Sequence, residues 1–329
     1  MANKITVIGG SGFVGTNLCQ NLFDKGVNFE IIDINRSQRF PEKTKIGDVR
    51  NIQSLRDAIS GDVVVNLAAV HRDDVRDKRE YFNTNVNGTK NVAHVCLEKG
   101  IKKIVFTSTV AVYGFADAGS GESAKINPFN EYGRTKYQAE EELRTWHNQG
   151  DHNLIIVRPT VIFGEGNRGN VFNLLNQIAS GKFVMVGSGE NKKSLAYIGN
   201  VAAFLEKCID TQKKYAVYNY VDTPGFDMNT LVRQVRKTLK NKNGVGLRLP
   251  YWFGLMMGFL ADVVTSATGK MLPLSSIRVK KFCSSTEFTS AKHELDGFEP
   301  PFPLQKGMDR TLQSEFISPD PSQEIFYSE

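Results

Sequence analysis

Apolar residues in the first half of the chain fall into short, nearly continuous runs. Lys4–Gly9, Asn28–Asp33, Asp62–Leu67, Lys103–Ser108 and Asn153–Arg158 are such runs, the pattern of strands covered on both faces. Between them lie helix-length stretches such as Arg79–Glu98 and Glu131–Asn148. Strands separated by helices predict a parallel sheet, and right-handed crossovers make it a doubly wound, Rossmann-type α/β fold. Beyond Pro159 the pattern becomes irregular, with frequent Gly and Pro. It predicts a smaller C-terminal α+β domain, with Ala216–Val221 returning to the sheet.

A length of 329 residues suits about two domains at roughly 150 residues each. With 40% hydrophobic and 23% charged residues, a mostly disordered chain is excluded. There is no apolar run of about 18 residues, so no conventional spanning helix is expected. The opening MANKITVIGG reads as a strand and not as a signal peptide. Four cysteines without a C-x-x-C pair and five dispersed histidines argue against a disulfide framework or a metal site, and favour a reducing cytoplasm. A net charge of +6 permits an anionic substrate or membrane surface, while no dense basic stripe points to nucleic acid.

The first chemical signal is Gly9-Gly10-Ser11-Gly12-Phe13-Val14-Gly15, set between the first strand and the first helix. Glycines at this spacing let the backbone turn tightly and approach a pyrophosphate, whose charge meets the helix N-terminus. Asp33 ends the second strand 18 positions after Gly15, where a carboxylate accepts hydrogen bonds from the adenosine ribose. Its charge repels a 2′-phosphate and favours NAD over NADP, although Arg36 lies nearby. Asp48 and Val49 are candidate adenine contacts, and Leu67-Ala68-Ala69 ends a strand beside the cofactor. Residues 1–160 then form the NAD-binding domain, with about 195–221 returning to it. Residues 161–194 and 222–318 form the substrate domain, and 319–329 a loosely ordered tail.

The second signal is Tyr132-Gly133-Arg134-Thr135-Lys136, which puts Tyr132 and Lys136 on one helix face. A phenol is a poor base at neutral pH, and a neighbouring ammonium favours its ionised form. Lys136 is also placed to hold the nicotinamide ribose. Upstream, Thr107-Ser108-Thr109-Val110-Ala111-Val112-Tyr113-Gly114 leaves a strand in a hydroxyl-rich turn. One of these hydroxyls is suited to bond the substrate oxygen, with strand-end capping the other reading, kept for Ser108.

Together the glycine loop, Asp33, the Ser-Thr-Val-Ala-Val-Tyr-Gly segment and Tyr132/Lys136 resemble the extended short-chain dehydrogenases/reductases of the nucleotide-sugar epimerase type. The likeness runs to about Phe316. It implies a catalytic hydroxyl at Thr109, a cofactor contact at Pro159 and, by analogy, a homodimer. The family's 4,6-dehydratases carry an Asp-Glu pair after this threonine, where this chain has Val110-Ala111. A 4-epimerase needs only Tyr132, Thr109, Lys136 and tightly held NAD, which points to reversible oxidation at C4 of a sugar.

Two further departures concern the substrate. Family members that bind UDP-sugars typically carry R-Y-F-N and R-D-Y-I-H-V; here Arg158-Pro159-Thr160-Val161 and Lys193-Ser194-Leu195-Ala196-Tyr197-Ile198 stand instead. These changes, with His71-Arg72-Asp73-Asp74-Val75, Asn167-Arg168-Gly169-Asn170-Val171, Val279-Lys280-Lys281-Phe282-Cys283 and Asp309-Arg310-Thr311-Leu312-Gln313, resemble the family branch acting on lipid-linked sugars. That branch interconverts GlcNAc and GalNAc on undecaprenyl diphosphate for O-antigen synthesis. It implies a cytoplasmic enzyme peripheral to the inner membrane. Arg72, Arg168, Lys193 and Arg278 are candidate diphosphate ligands, and His71 and Ser108 candidate sugar contacts.

The alternatives are a UDP-GlcNAc 4-epimerase, a nucleotide-sugar 4-ketoreductase and a non-catalytic NAD(P)-binding sensor. Leu249–Ala261 has no charged side chain over 13 positions, and Lys270, Arg278, Lys280 and Lys281 follow. A helix of that length is too short to cross a bilayer. Composition favours a buried core helix, whereas the resemblance favours an interfacial one.

Overall fold

The computed structural model describes residues 4–72, 75–269 and 275–327. Asp73, Asp74 and Lys270 lie outside these. The central sheet has seven strands: β1 (Ile5–Ile8), β2 (Phe29–Asp33), β3 (Thr44–Ile46), β4 (Val63–Asn66), β5 (Lys103–Thr107), β6 (Asn153–Pro159) and β7 (Tyr215–Tyr220). Their spatial order is β7-β6-β5-β4-β1-β2-β3, and every neighbouring pair is parallel. The chain runs outward from β1 to β3, then crosses back to place β4 on the other side of β1. That reversal opens a crevice at the carboxyl ends of β1 and β4, the usual ligand position in such sheets. In register, Ile8 lies opposite both Ile32 and Asn66, so the strand ends carrying the glycine loop, Asp33 and Leu67–Ala69 share one edge.

Strand residues alternate between two apolar layers. Val7, Ile31, Val65, Val105 and Val157 face the helices containing Leu18 and Phe204. Ile8, Ile32, Val64, Ile104 and Ile156 face those containing Val92, Leu143 and Trp146. Burial on both sides explains why the strands read as continuous apolar runs. The short β3 has one buried residue in three and no such run, and so gives no comparable signal. A separate cluster gathers Phe163, Leu175, Met185, Tyr197, Leu231 and Met308 from the second half of the chain.

The predicted Glu131–Asn148 helix forms over those residues, capped by the Asn130 side chain, which accepts from the Gly133 N–H. The predicted Arg79–Glu98 helix is interrupted. A short turn at Arg79–Tyr81 leads into a π-helical segment, Phe82–Asn87, and then a regular helix, Gly88–Glu98. The widened turn brings in Asn85, whose side chain pairs with both the N–H and C=O of Val70 and donates to Thr135 Oγ1 at 3.0 Å. It ties the loop after β4 to the helix that carries Tyr132.

The expected loose tail is instead seated at Phe326, and its last two residues, 328–329, lie outside those described. Phe326 donates its N–H to the Gly166 carbonyl and accepts from the Arg168 N–H, while its ring packs 5.6 Å from Phe13 in the glycine loop. The apolar segment after Leu249 forms the Tyr251–Thr268 helix, and it is not a core helix. Gly254, Gly258 and Ala261 make its attached stripe. A Cβ on Gly254 would meet Val186 at 2.4 Å, and one on Gly258 would meet the Ser276 backbone at 2.7 Å. Asp262 then accepts from Ser276, fixing the start of the Ser276–Cys283 helix. On the other faces Trp252 (66%), Phe259 (51%), Leu260 (54%) and Val263 (65%) are exposed. Helices of this apolarity are commonly buried, but a stripe of two glycines and an alanine covers little area. No helix among the described residues is long and apolar enough to cross a membrane.

Candidate active site

A cleft of about 760 Å³ opens at the carboxyl edge of the sheet. Gly9, Gly12, Phe13, Val14, Gly15, Asp33, Asp48, Val49, Leu67, Ala68, Ala69, Tyr132, Lys136 and Pro159 all line it. The glycine loop is a cradle that side chains would fill. A Cβ on Gly15 would lie 2.4 Å from the Gly9 carbonyl oxygen, and Gly9 itself turns with φ of +78°. Asp33 Oδ2 accepts the Ser11 N–H at 3.0 Å and Oδ1 the Asn35 N–H, which pins the carboxylate at the end of β2. Burial raises its pKa, against the pull of these hydrogen bonds. Asp48 is held by Arg50, and its N–H donates to Ser54 Oγ.

The Glu131–Asn148 helix supplies Tyr132 and Lys136 to the cleft. Tyr132 is half-buried and lines the cleft together with Thr109. Burial pushes the phenol up to about 12, with the Thr109 hydroxyl opposing it. Lys136 is 1% exposed, and its ammonium lies over the Phe106 ring. Burial lowers its pKa to about 7, with the negative charge of Glu140 acting the other way. Behind it Glu140 is fully buried between Arg158, with bonds of 2.9 and 2.5 Å, and Arg144 at 2.7 Å. Arg158 also donates to Tyr113 Oη, which donates to Asn219 Oδ1.

Two buried hydroxyls on the cleft wall, Thr107 Oγ1 and Ser108 Oγ, have no hydrogen-bond partner in the protein. Ser108 is therefore not the strand-end cap that its position suggested. Such groups are costly to bury without a partner, and a polyhydroxyl ligand or a ribose would supply one. Thr109 does cap the turn that follows, accepting the Ala111 N–H at 3.1 Å.

The expected substrate cations divide differently. His71 lines the cleft and is exposed. Arg72, Arg168, Lys193 and Arg278 do not line it. Arg168 pairs with Glu315 and stacks over Phe172 at 4.1 Å. Lys193 donates to the carbonyls of Lys281 (2.9 Å) and Ser284 (2.6 Å), and so terminates the Ser276–Cys283 helix. Its burial lowers its pKa to about 8. Arg278 lies exposed on that same helix. For Arg168 and Lys193, a cation near a motif does not reveal a carboxylate or carbonyl partner far along the chain.

Glu80, Thr84, Asn167, Asn170, Thr286 and Phe288 also line the cleft, with no local sequence pattern that marks them as site residues. Asn85 was missed because a buried asparagine inside a helical pattern has no local signature. Thr286 reaches the cleft through strand-like contacts with Lys192 and Ser194, more than 90 positions away in sequence.

With its switch-point crevice, glycine cradle and Tyr-Lys-Thr cluster, the chain belongs to the NAD dependent epimerase/dehydratase family, whose profile matches residues 5–220. Its cofactor is NAD. Among relatives, it is 47% identical to the N-acetyl-alpha-D-glucosaminyl-diphospho-ditrans,octacis-undecaprenol 4-epimerase of Escherichia coli O157:H7, over all of both chains. It is 29% identical to the UDP-glucose 4-epimerase of Vibrio cholerae, over 95% of this chain and 96% of that one. The solved UDP-N-acetylglucosamine 4-epimerase from Bacillus cereus shares the fold at a TM-score of 0.74 and 18% identity, covering 96% and 98% of the two chains.

Proposed function

We propose that this protein is an NAD-dependent 4-epimerase that interconverts GlcNAc and GalNAc while the sugar is carried on undecaprenyl diphosphate. The observation that carries the assignment is the 47% identity, end to end, with the Escherichia coli enzyme acting on that class of substrate. Val161 supports it: this residue lines the cleft where the UDP-sugar pattern has an asparagine. Lys193 also supports it, because the cation at the position of the family arginine is spent on a helix end.

Tyr132 takes the proton of the sugar C4 hydroxyl, and the Thr109 hydroxyl orients that oxygen. Lys136, one helical turn along on the same face, is placed to hold the nicotinamide ribose. When bound, NAD would supply the hydride acceptor and donor for C4. Asp33 and the glycine loop hold the dinucleotide, and the buried Glu140–Arg158 pair keeps the catalytic helix fixed on β6. The cleft would let the sugar turn between loss and return of the C4 hydrogen, with no net redox change.

The protein reaches its lipid-linked substrate at the cytoplasmic face of the membrane. The exposed apolar side of the Tyr251–Thr268 helix, next to Lys280 and Lys281, has the composition of an interfacial element on anionic lipid. To test the reading, purified protein is given GlcNAc-diphospho-undecaprenol and UDP-GlcNAc separately, and the sugar is released and identified. Conversion of the lipid-linked sugar with only catalytic NAD is expected. Conversion of UDP-GlcNAc alone would overturn it in favour of the nucleotide-sugar enzyme.

A further inference from the structure

The molecule carries a second exposed apolar feature that the chemistry above does not use. Phe115 and Phe129 stack at 4.7 Å between ring centroids, with 26° between planes, although they are 69% and 49% exposed. Both adjoin the active site in sequence. Phe115 follows Gly114, which lines the cleft, and Phe129 precedes the Asn130 cap of the helix that bears Tyr132. The two segments touch so closely that a Cβ on Gly114 would sit 2.0 Å from the Asn127 carbonyl oxygen.

A single short helix links this pair to the apolar helix. On the Ser276–Cys283 helix, Lys281 places its ammonium 4.9 Å from the Phe129 ring centroid. Its neighbour Lys280 lies 5.8 Å over Phe259 of the Tyr251–Thr268 helix. A continuous band therefore runs from the cleft at Gly114 through two stacked rings and two cations to the exposed apolar helix face. Its composition matches an anionic group attached to a hydrocarbon chain, with cations for the one and aromatic faces for the other.

We infer that Phe115, Phe129 and Lys281 seat the diphosphate-proximal isoprenyl units of the lipid carrier as it passes from the membrane-facing helix to the cleft. This rests on the proposed lipid-linked substrate. The rings receive the first isoprenyl units, and Lys281 lies beside the diphosphate. A substrate without such a chain leaves the rings in water.

The test compares the full-length NAD-loaded protein with Phe115→Ser, Phe129→Ser and the double variant, using GlcNAc-diphospho-undecaprenol in detergent micelles. Thermal midpoint, NAD content and sedimentation mass are read alongside. Losing a buried aromatic contact corresponds to a KM rise of about tenfold or more, with kcat and NAD content unchanged. Unaltered KM overturns the inference. So does a fall in kcat at constant KM, which would assign the rings to support of the catalytic helix. A changed sedimentation mass would give the face to a second copy of the chain and likewise overturn it. Failure of the unsubstituted protein to turn over this substrate is a separate result and defeats the proposed function itself.

Discussion

Lys136 holds its ammonium 4.1 Å from the centroid of the Phe106 ring. The ring face gives a buried cation a soft electrostatic partner, yet burial still draws the lysine down to about 7. An unfolded lysine keeps its proton to about pH 10.4. Between those values the unfolded chain binds more protons than the folded one, so this group makes stability rise with pH. Below pH about 7 the burial cost is constant. In cofactor-free protein, the thermal midpoint of the wild type should gain on that of Lys136→Met from about pH 7 to about pH 9. A constant difference across that range would show that Lys136 does not titrate there.

Replacing Tyr132 by Phe deletes the proton acceptor and preserves the ring. Turnover should fall by about 10²–10⁴-fold, the usual span for general acid–base groups. NAD binding, read by protein fluorescence quenching, should persist. Residual activity near wild type would transfer the base role elsewhere.

Glu140 is buried against Arg158, and the two carry opposite charges away from water. Burial works against the Arg158 charge, but the bonds and charge of Glu140 more than offset this and raise its pKa. Removing Glu140 strands the buried Arg158 guanidinium, a loss on the order of 3–5 kcal/mol. Glu140→Gln should therefore lower stability in urea titrations by about that amount, and Arg158→Met by less, because Arg144 still pairs with Glu140. The Glu140→Gln/Arg158→Met double variant should lose less than the sum of the two single variants. Strict additivity would mean that the pair is not coupled.

The interfacial reading of the Tyr251–Thr268 helix is checked by flotation with vesicles containing anionic lipid. Trp252→Ser and Phe259→Ser should each weaken partitioning about tenfold, from the aromatic area returned to water. Added salt should weaken the wild type further through Lys280 and Lys281. If wild-type protein stays with the aqueous phase at every lipid composition, the helix has another use.

Local pattern carried the sheet and the cofactor end of the site. The strands are buried on both faces and the glycine loop is contiguous, so each leaves its mark within a few residues of sequence. Tyr132 and Lys136 were legible for the same reason, being one turn apart. What escaped depends on distant partners. Lys193 donates to the carbonyls of Lys281 and Ser284, which its own sequence neighbourhood does not reveal. Arg168 was claimed by Glu315, 147 positions away. The exposure of Trp252 could not be inferred from an apolar run, since burial depends on what the rest of the chain brings to cover it.

The bonds between Phe326 and the Gly166–Arg168 backbone couple the carboxyl-terminal segment to a loop whose Asn167, Gly169 and Asn170 border the cleft. A purification handle or fusion partner attached after this segment would tug on the wall of the reaction chamber, so kinetic work is better served by extensions at the amino end.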